Sequence, residues 1–347
     1  QGLQLQDQQW LNQLQSDIRA AETSIASFAR LLETQLRPAR ADDEAWFNRM
    51  VTRDADGMWR SRRSDYDPQH EAGIWAPDAA IATLEDRSFF LQAGRLTQIY
   101  GQAANRGLLA NTWILPAGNG EIVYWPEQPD FIYQTTPDLD YRPTEWFQGV
   151  TPGSRPHGGV HWTSTSFDPV PKVWMISVIA PFQRDGRWGG SVGHDLVIED
   201  LVHRLAVDFQ SREGCFFLID QQRRLLIATC HQAEIEQSQG QLRADEVSEH
   251  GPLLTRILDQ AGPGPVRQPV MMETGEAMVT ALPLLRPNWM MVPIRPLTQI
   301  RLPLFWISSL RNWRLSRSSC SVRIRSLISR IAARRSRCPP SSKKLQE

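Results

Sequence analysis

At 347 residues, with 41% hydrophobic and 22% charged side chains, the chain has the make-up of a folded protein, long enough for two ordinary domains or one two-lobed module. Four cysteines exclude a disulfide scaffold, and the composition excludes a disordered or collagen-like chain. The formal net charge of zero hides an asymmetry: residues 311–347 hold eleven of the 38 basic residues and one of the 38 acidic ones, leaving 27 and 37 in an acidic body.

Residues 3–36 contain neither Gly nor Pro, and apolar side chains recur at Leu11, Leu14, Ile18, Ala21, Ile25, Phe28 and Leu32. This heptad seam predicts one long helix, whose stripe packs on its own domain, on a second copy, or on both. From Ala41 to Leu205 helical patches alternate with short aromatic strands. A helix is expected from Pro77-Asp78 to Ala103, then a hairpin of Thr112–Leu115 with Glu121–Trp125. Arg142-Pro143 opens a short helix through Phe147, since proline suits a first helical turn. Gly/Pro-rich Thr151–Gly159 reads as a loop.

The most informative stretch runs from Val160 to Leu201. It reads as two strands, Val173–Gln183 and Trp188–Val197, turned by Asp185-Gly186. The second strand passes through Gly193-His194-Asp195 into a helix near Ile198. An acid on the buried side of a sheet is costly without a partner, which points to a ligand's cation at Asp195. Residues 206–297 repeat the plan at smaller scale. A hairpin (215–229) precedes a helix (Leu253–Asp259), a loop (Ala261–Pro265) and strands at Val266–Met272, Ala277–Leu284 and Trp289–Ile294. Cys215 and Cys230 face each other across that hairpin, either bridged or as two buried thiols.

The run DGMWRSRRSDYDPQHEAGIW (56–75), the Glu145-Trp146-Phe147 triplet and Val192-Gly193-His194-Asp195 resemble the double Cache sensor domain of bacterial transmembrane receptors, over about residues 1–300. The resemblance implies an α+β fold: a long N-terminal helix followed by two PAS-like (Cache) antiparallel-sheet lobes. It implies a stalk helix at 1–40, a membrane-distal lobe with the ligand pocket at 41–205, and a membrane-proximal lobe at 206–297. In amino-acid-binding members an acid at the position of Asp195 takes the ligand ammonium. Their Arg-x-Trp-Tyr motif, which holds the carboxylate, is Thr144-Glu145-Trp146-Phe147 here, and Leu139 stands where those members carry a tyrosine. Trp146 and Asp195 alone survive from that motif, which leaves a cationic or aromatic ligand on an equal footing with a free amino acid. The ligand-binding candidates are Asp195, Trp146, Phe167, Tyr141, Arg142 and Trp162, with Trp113 and Tyr133 as further wall residues. Ten of the thirteen tryptophans fall between Trp10 and Trp188, serving either a core or an aromatic pocket.

No GxSxG, HExxH, P-loop or dinucleotide fingerprint is present, so the sequence supports no catalysis and no cofactor. His157, His161 and His194 fit no ligand spacing, and no Cys/His spacing suggests zinc, so no metal is expected. No apolar run reaches the roughly 18 residues of a membrane span. The start at Gln1 suggests a fragment cut after a membrane anchor, and 298–310 begins like a second membrane helix. The tail at 311–347 matches no part of the family. Its Arg/Ser composition is expected of a disordered segment or a shifted reading frame, and a nucleic-acid- or lipid-binding arm is the alternative. The expected protein is thus the periplasmic sensing region of a sensor histidine kinase, diguanylate cyclase or chemoreceptor. Its expected partners are a small molecule, a second copy through the N-terminal helix, and the inner membrane through missing anchors, with no nucleic acid.

Overall fold

The computed structural model describes residues 2–104, 109–209, 214–262 and 269–297. The expected membrane-helix start at 298–310, the basic tail and the opening of the strand at Val266 lie outside the described residues. All that follows concerns the compact unit Gln1–Arg295.

The first lobe opens with α1 (Gly2–Gln35) and α2 (Ala41–Met50), then β1 (Val51–Arg53), β2 (Trp59–Ser61) and β3 (Gly73–Ala76). A 3-10 turn (Asp78–Ile81) leads to α3 (Leu84–Ala104), β4 (Thr112–Pro116), β5 (Glu121–Tyr124), α4 (Phe131–Gln134) and α5 (Glu145–Gln148). β6 (His161–Trp162), β7 (Ser166–Asp168), β8 (Val173–Arg184), β9 (Arg187–Val197) and α6 (Ile198–Phe209) complete it. The second lobe comprises β10 (Cys215–Ile219), β11 (Leu225–Ala228), α7 (Gln232–Gln237), α8 (Gly251–Ala261), β12 (Val270–Glu273), β13 (Ala277–Leu284) and β14 (Trp289–Pro296).

The larger sheet runs β1-β2-β3-β5-β4-β9-β8-β6, with β7 also paired to β8, and the smaller runs β11-β10-β14-β13-β12. The pairings within the larger sheet, and those of β10 with β11 and β14 and of β12 with β13, are antiparallel. From β5 to β6 the larger sheet (β5-β4-β9-β8-β6) follows the plan of the smaller one (β11-β10-β14-β13-β12): a hairpin whose first strand lies beside the last strand of the lobe, followed by the strands before it in reverse order, with β7 off that path. The α+β architecture of one long helix and two PAS-like lobes is therefore present.

The helix stripe packs inward. Ile25, Phe28 and Leu32 are wholly buried with Ile176, Val178 and Phe182 of β8 and Phe90 of α3, and Phe28 stacks on Tyr100 at 4.7 Å between centroids. The same core takes in Leu282 and Leu284 of β13, so α1 braces both lobes. Two further ties hold the lobes together: Trp162 meets Trp289 edge-on at 5.1 Å, and Thr165 Oγ1 donates to the Leu226 carbonyl at 2.8 Å.

The Asp185-Gly186 turn has φ of 53° and 70°, the doubly left-handed geometry that matches strand twist. The single helix expected from Pro77 is instead a 3-10 turn followed by α3. Thr83 Oγ1 accepts the Asp86 N–H at 3.1 Å and restarts the helix as its cap. Strands β1 to β3 have three or four residues each, too few to display a period of two. Cys215 and Cys230 are bridged, with Cα atoms 5.6 Å apart.

Candidate functional site

Asp195 lies near the end of β9, opposite Ser177 of β8 in the ladder. Strand alternation sends it to one face of the sheet and His194 to the other. Its carboxylate accepts from Ser177 Oγ at 2.5 Å and Asn111 Nδ2 at 2.6 Å, and its own N–H donates to Asn111 Oδ1 at 2.9 Å. The Trp113 ring N–H also donates to it. Gly193 makes room for that indole: a Cβ there would sit 2.1 Å from the Trp113 ring. Burial pushes the Asp195 carboxyl above its ordinary pKa, against the pull of those neutral donors.

Two further acids share this interior. Glu121, at the start of β5, is buried and takes the Trp75 ring N–H at 3.1 Å. Asp168, at the end of β7, takes the Val170 N–H at 2.9 Å and the Tyr141 hydroxyl at 3.5 Å. Burial pushes Asp168 up to about 7, with the Asp195 charge adding to it. Glu121 is driven well above its usual range by burial and by the charges of Asp168 and Asp195. Tyr141 is likewise pushed up by burial and by all three acids. No basic side chain is among the charges acting on these four groups among the described residues. Burial, with the charges these acids exert on one another, disfavours ionising all three at once, and a cation placed among them would relieve that cost.

Aromatic rings enclose the group. Tyr141 meets Trp146 edge-on at 5.5 Å and tilts against Trp75 at 6.2 Å. Ser191 Oγ donates to the Trp146 carbonyl at 2.8 Å, fixing α5 on β9. The buried Trp146 Nε1 has no hydrogen-bond partner among the described residues, which costs on the order of 1–3 kcal/mol. An acceptor on a bound molecule would satisfy it.

Of the sequence candidates, Asp195, Trp146 and Tyr141 come together here, with Trp113. Arg142 does not: its guanidinium is half-exposed and clamped on Asp140 at 2.8 Å, one residue out of phase with the buried Tyr141. Phe167 is 40% exposed and leans on Trp174 at 5.4 Å, because strand parity turns it away from its neighbour Asp168. Trp162 is buried between the lobes, its ring N–H on Glu22 Oε1 at 3.1 Å. Tyr133 donates to the Ser61 carbonyl and carries Arg63 on its ring. Sequence reading missed Glu121, Asp168, Trp75, Asn111 and Ser177. The available signal was an acid opening β5 at Glu121 and an acid closing β7 at Asp168, each beside apolar or aromatic residues. A separate cleft of about 930 Å³ lies against α1 and both lobes, where Trp162 and Trp289 join Arg30, Arg155 and Arg286.

No family model matches the chain, and no curated protein does. It is similar to solved sensor domains. The ligand-binding domain of the Campylobacter jejuni chemoreceptor Tlp3 in complex with L-norvaline matches at 14% identity and a TM-score of 0.40, over 84% of this chain and 93% of that one. The ligand-binding domain of the Pseudomonas fluorescens chemoreceptor CtaA with L-alanine matches at 17% and 0.39, over 58% and 79%. That of the Pseudomonas aeruginosa amino acid chemoreceptor PctC with GABA matches at 15% and 0.38, over 59% and 80%. These likenesses are loose, and the fold rests on the strand order above. No described helix is long and apolar enough to cross a membrane.

Proposed function

We propose that the chain is the extracytoplasmic sensing region of a bacterial membrane receptor, and that its distal lobe binds a small cationic ligand. The observation that carries this reading is the pair of buried acids Glu121 and Asp168, linked through Trp75 and Tyr141 beside Trp146, with the Asp195 charge acting on both and no basic side chain among the charges acting on them. An amine or quaternary ammonium group would stand against the acids and on the faces of Trp75, Tyr141 and Trp146. The double Cache resemblance supplies the rest: a non-enzymatic module on the periplasmic side of the inner membrane, paired with a second copy along α1.

The route out of the site is physical. His194, the neighbour of Asp195, reaches through the sheet to α1, so a ligand that repositions the end of β9 moves a strand bonded to the helix. Binding shifts the balance of two states only by its differential affinity for them.

The test is a thermal-shift and calorimetric screen of the full chain against diamines, quaternary amines, amino acids and plain carboxylates. A true ligand at a hundred times its dissociation constant adds about 2.7 kcal/mol. A cationic hit that Asp195→Asn abolishes is the expected result. A carboxylate hit indifferent to that substitution would overturn the assignment.

A further inference from the structure

The second lobe holds a chemical set that the acidic cage does not use. Cys215 opens β10, Cys230 follows β11, His231 precedes α7 and His250 precedes α8. The two sulfurs and two ring nitrogens lie within 4.8 Å of one another, although the residues are fifteen, one and nineteen positions apart in sequence. His231 Nε2 and His250 Nδ1 face each other at 2.8 Å. The far nitrogen of His231, Nδ1, donates to Glu234 Oε1 at 2.6 Å, and Glu234 is held in turn by Ser248 Oγ at 2.8 Å. A carboxylate behind an imidazole in this way fixes the tautomer with Nε2 free, the arrangement that orients a ligating histidine.

We propose that Cys215, Cys230, His231 and His250 form a redox-gated site for a zinc-like divalent metal ion, closed while the two sulfurs are bridged and open once they are reduced. A dithiol reductant supplies two electrons and two protons, breaking the S–S bond to give two thiols while the reductant closes to its own disulfide. Metal binding then releases both thiol protons to solvent, leaving two thiolates and two neutral imidazoles around the ion. His250 carries its remaining proton on Nε2 in that state. Two sulfurs and two nitrogens are a tetrahedral zinc set. At Zn–N distances of ~2.0–2.1 Å the two imidazole nitrogens need to part by only about 0.5 Å. Cys230 is exposed, which gives both reductant and ion a path in. The ion and the disulfide compete for the same two sulfurs, so each state excludes the other.

The test uses the full chain and Co²⁺ as the probe, since tetrahedral thiolate coordination gives Co²⁺ a distinct visible and charge-transfer spectrum. Chain reduced with a dithiol is compared with the oxidised chain, alone and as His250→Gln, Cys230→Ser and Glu234→Gln. Cys320 and Cys338 are present in every arm, so only differences between arms count. One extra ion per reduced chain is expected, with the spectrum lost in His250→Gln and Cys230→Ser. Glu234→Gln, which removes no ligand, is expected to weaken binding about 10–100-fold. Equal uptake by oxidised and reduced chain, or an unchanged spectrum in reduced His250→Gln, would overturn the proposal. Thermal melting of each variant in the oxidised state identifies any that fail to fold, and Glu234→Gln then decides.

Discussion

Ser24 on the long helix and His194 on β9 are hydrogen-bonded, Oγ to Nε2, at 3.0 Å. The His194 Nδ1 donates to the Asn111 carbonyl at 2.9 Å, so Nε2 is the acceptor and Ser24 the donor. Tyr100 donates to the Ser24 carbonyl at 2.6 Å and packs against the His194 ring. One residue along the strand, Asn111 also clasps Asp195. The acidic cage and the helix are thus joined through a single strand read on both faces. Ser24→Ala should leave ligand affinity within about threefold, cost about 1 kcal/mol of stability, and weaken the transmission of binding to α1. Amide hydrogen exchange along α1, with and without ligand, checks this; an unchanged ligand response in Ser24→Ala would remove the bond from the route.

The pH dependence of stability should include two opposing contributions, from His194 and from Asp168. Burial lowers His194 to about 4; among the described residues its ring bonds to Ser24, Thr112 and the Asn111 backbone and stacks near Tyr100. The unfolded chain protonates this histidine first, so its contribution is present above about 6.5 and is lost as pH falls toward 4. Asp168, facing Glu121, Asp195 and Tyr141, has the reverse sign: raised to about 7, it makes stability fall as pH rises from about 4 to 7. Asp168→Asn should therefore melt with a steeper rise of stability with pH than the parent, and His194→Gln with a steeper fall. The His194 contribution is on the order of 3 kcal/mol. Parallel pH profiles for all three proteins would contradict the burial of these groups.

Cation binding should release protons. Below about pH 7 an incoming ammonium group must displace a proton from Asp168, so affinity should rise by up to tenfold per pH unit and flatten above it. Calorimetry of the same ligand in buffers of different ionisation enthalpy counts the protons released. A count of zero at pH 6 would mean the cation does not meet this carboxyl.

Phe28 is the centre of the helix–sheet contact, wholly buried and stacked on Tyr100. Phe28→Ala should cost about 3–5 kcal/mol, as expected for a buried aromatic replaced by a cavity. Denaturant melts decide: a loss below about 1 kcal/mol would mean that α1 is not docked on its own sheet.

Gly193→Ala should disturb the site while leaving the second lobe intact. The added methyl meets the Trp113 ring at 2.1 Å, so the indole must move away from Asp195. A drop of tenfold or more in ligand affinity is expected, with Trp fluorescence reporting the displaced ring. Parental affinity would show that the Trp113 bond to Asp195 is dispensable.

Much of the architecture was written in local pattern. The heptad stripe from Leu11 to Leu32, the Asp185-Gly186 turn and the two hairpins are short-range signals, because periodicity and turn chemistry act over a few residues. Asp195 was legible for the same reason: an acid closing an apolar strand is a local anomaly. Tertiary structure decided what each feature meets. Parity along β7 placed Asp168 inside and Phe167 outside, and one step around α5's leading turn buried Tyr141 while leaving Arg142 on Asp140. Glu121 joins the cage only because β5 pairs beside β4, whose other neighbour is β9. His250 reaches the cysteines only because folding brings the residue before α8 beside the residue before α7, across nineteen positions. A carboxyl's partners, and hence its charge, depend on residues brought near by folding across tens to hundreds of positions. No window of sequence contains that distance.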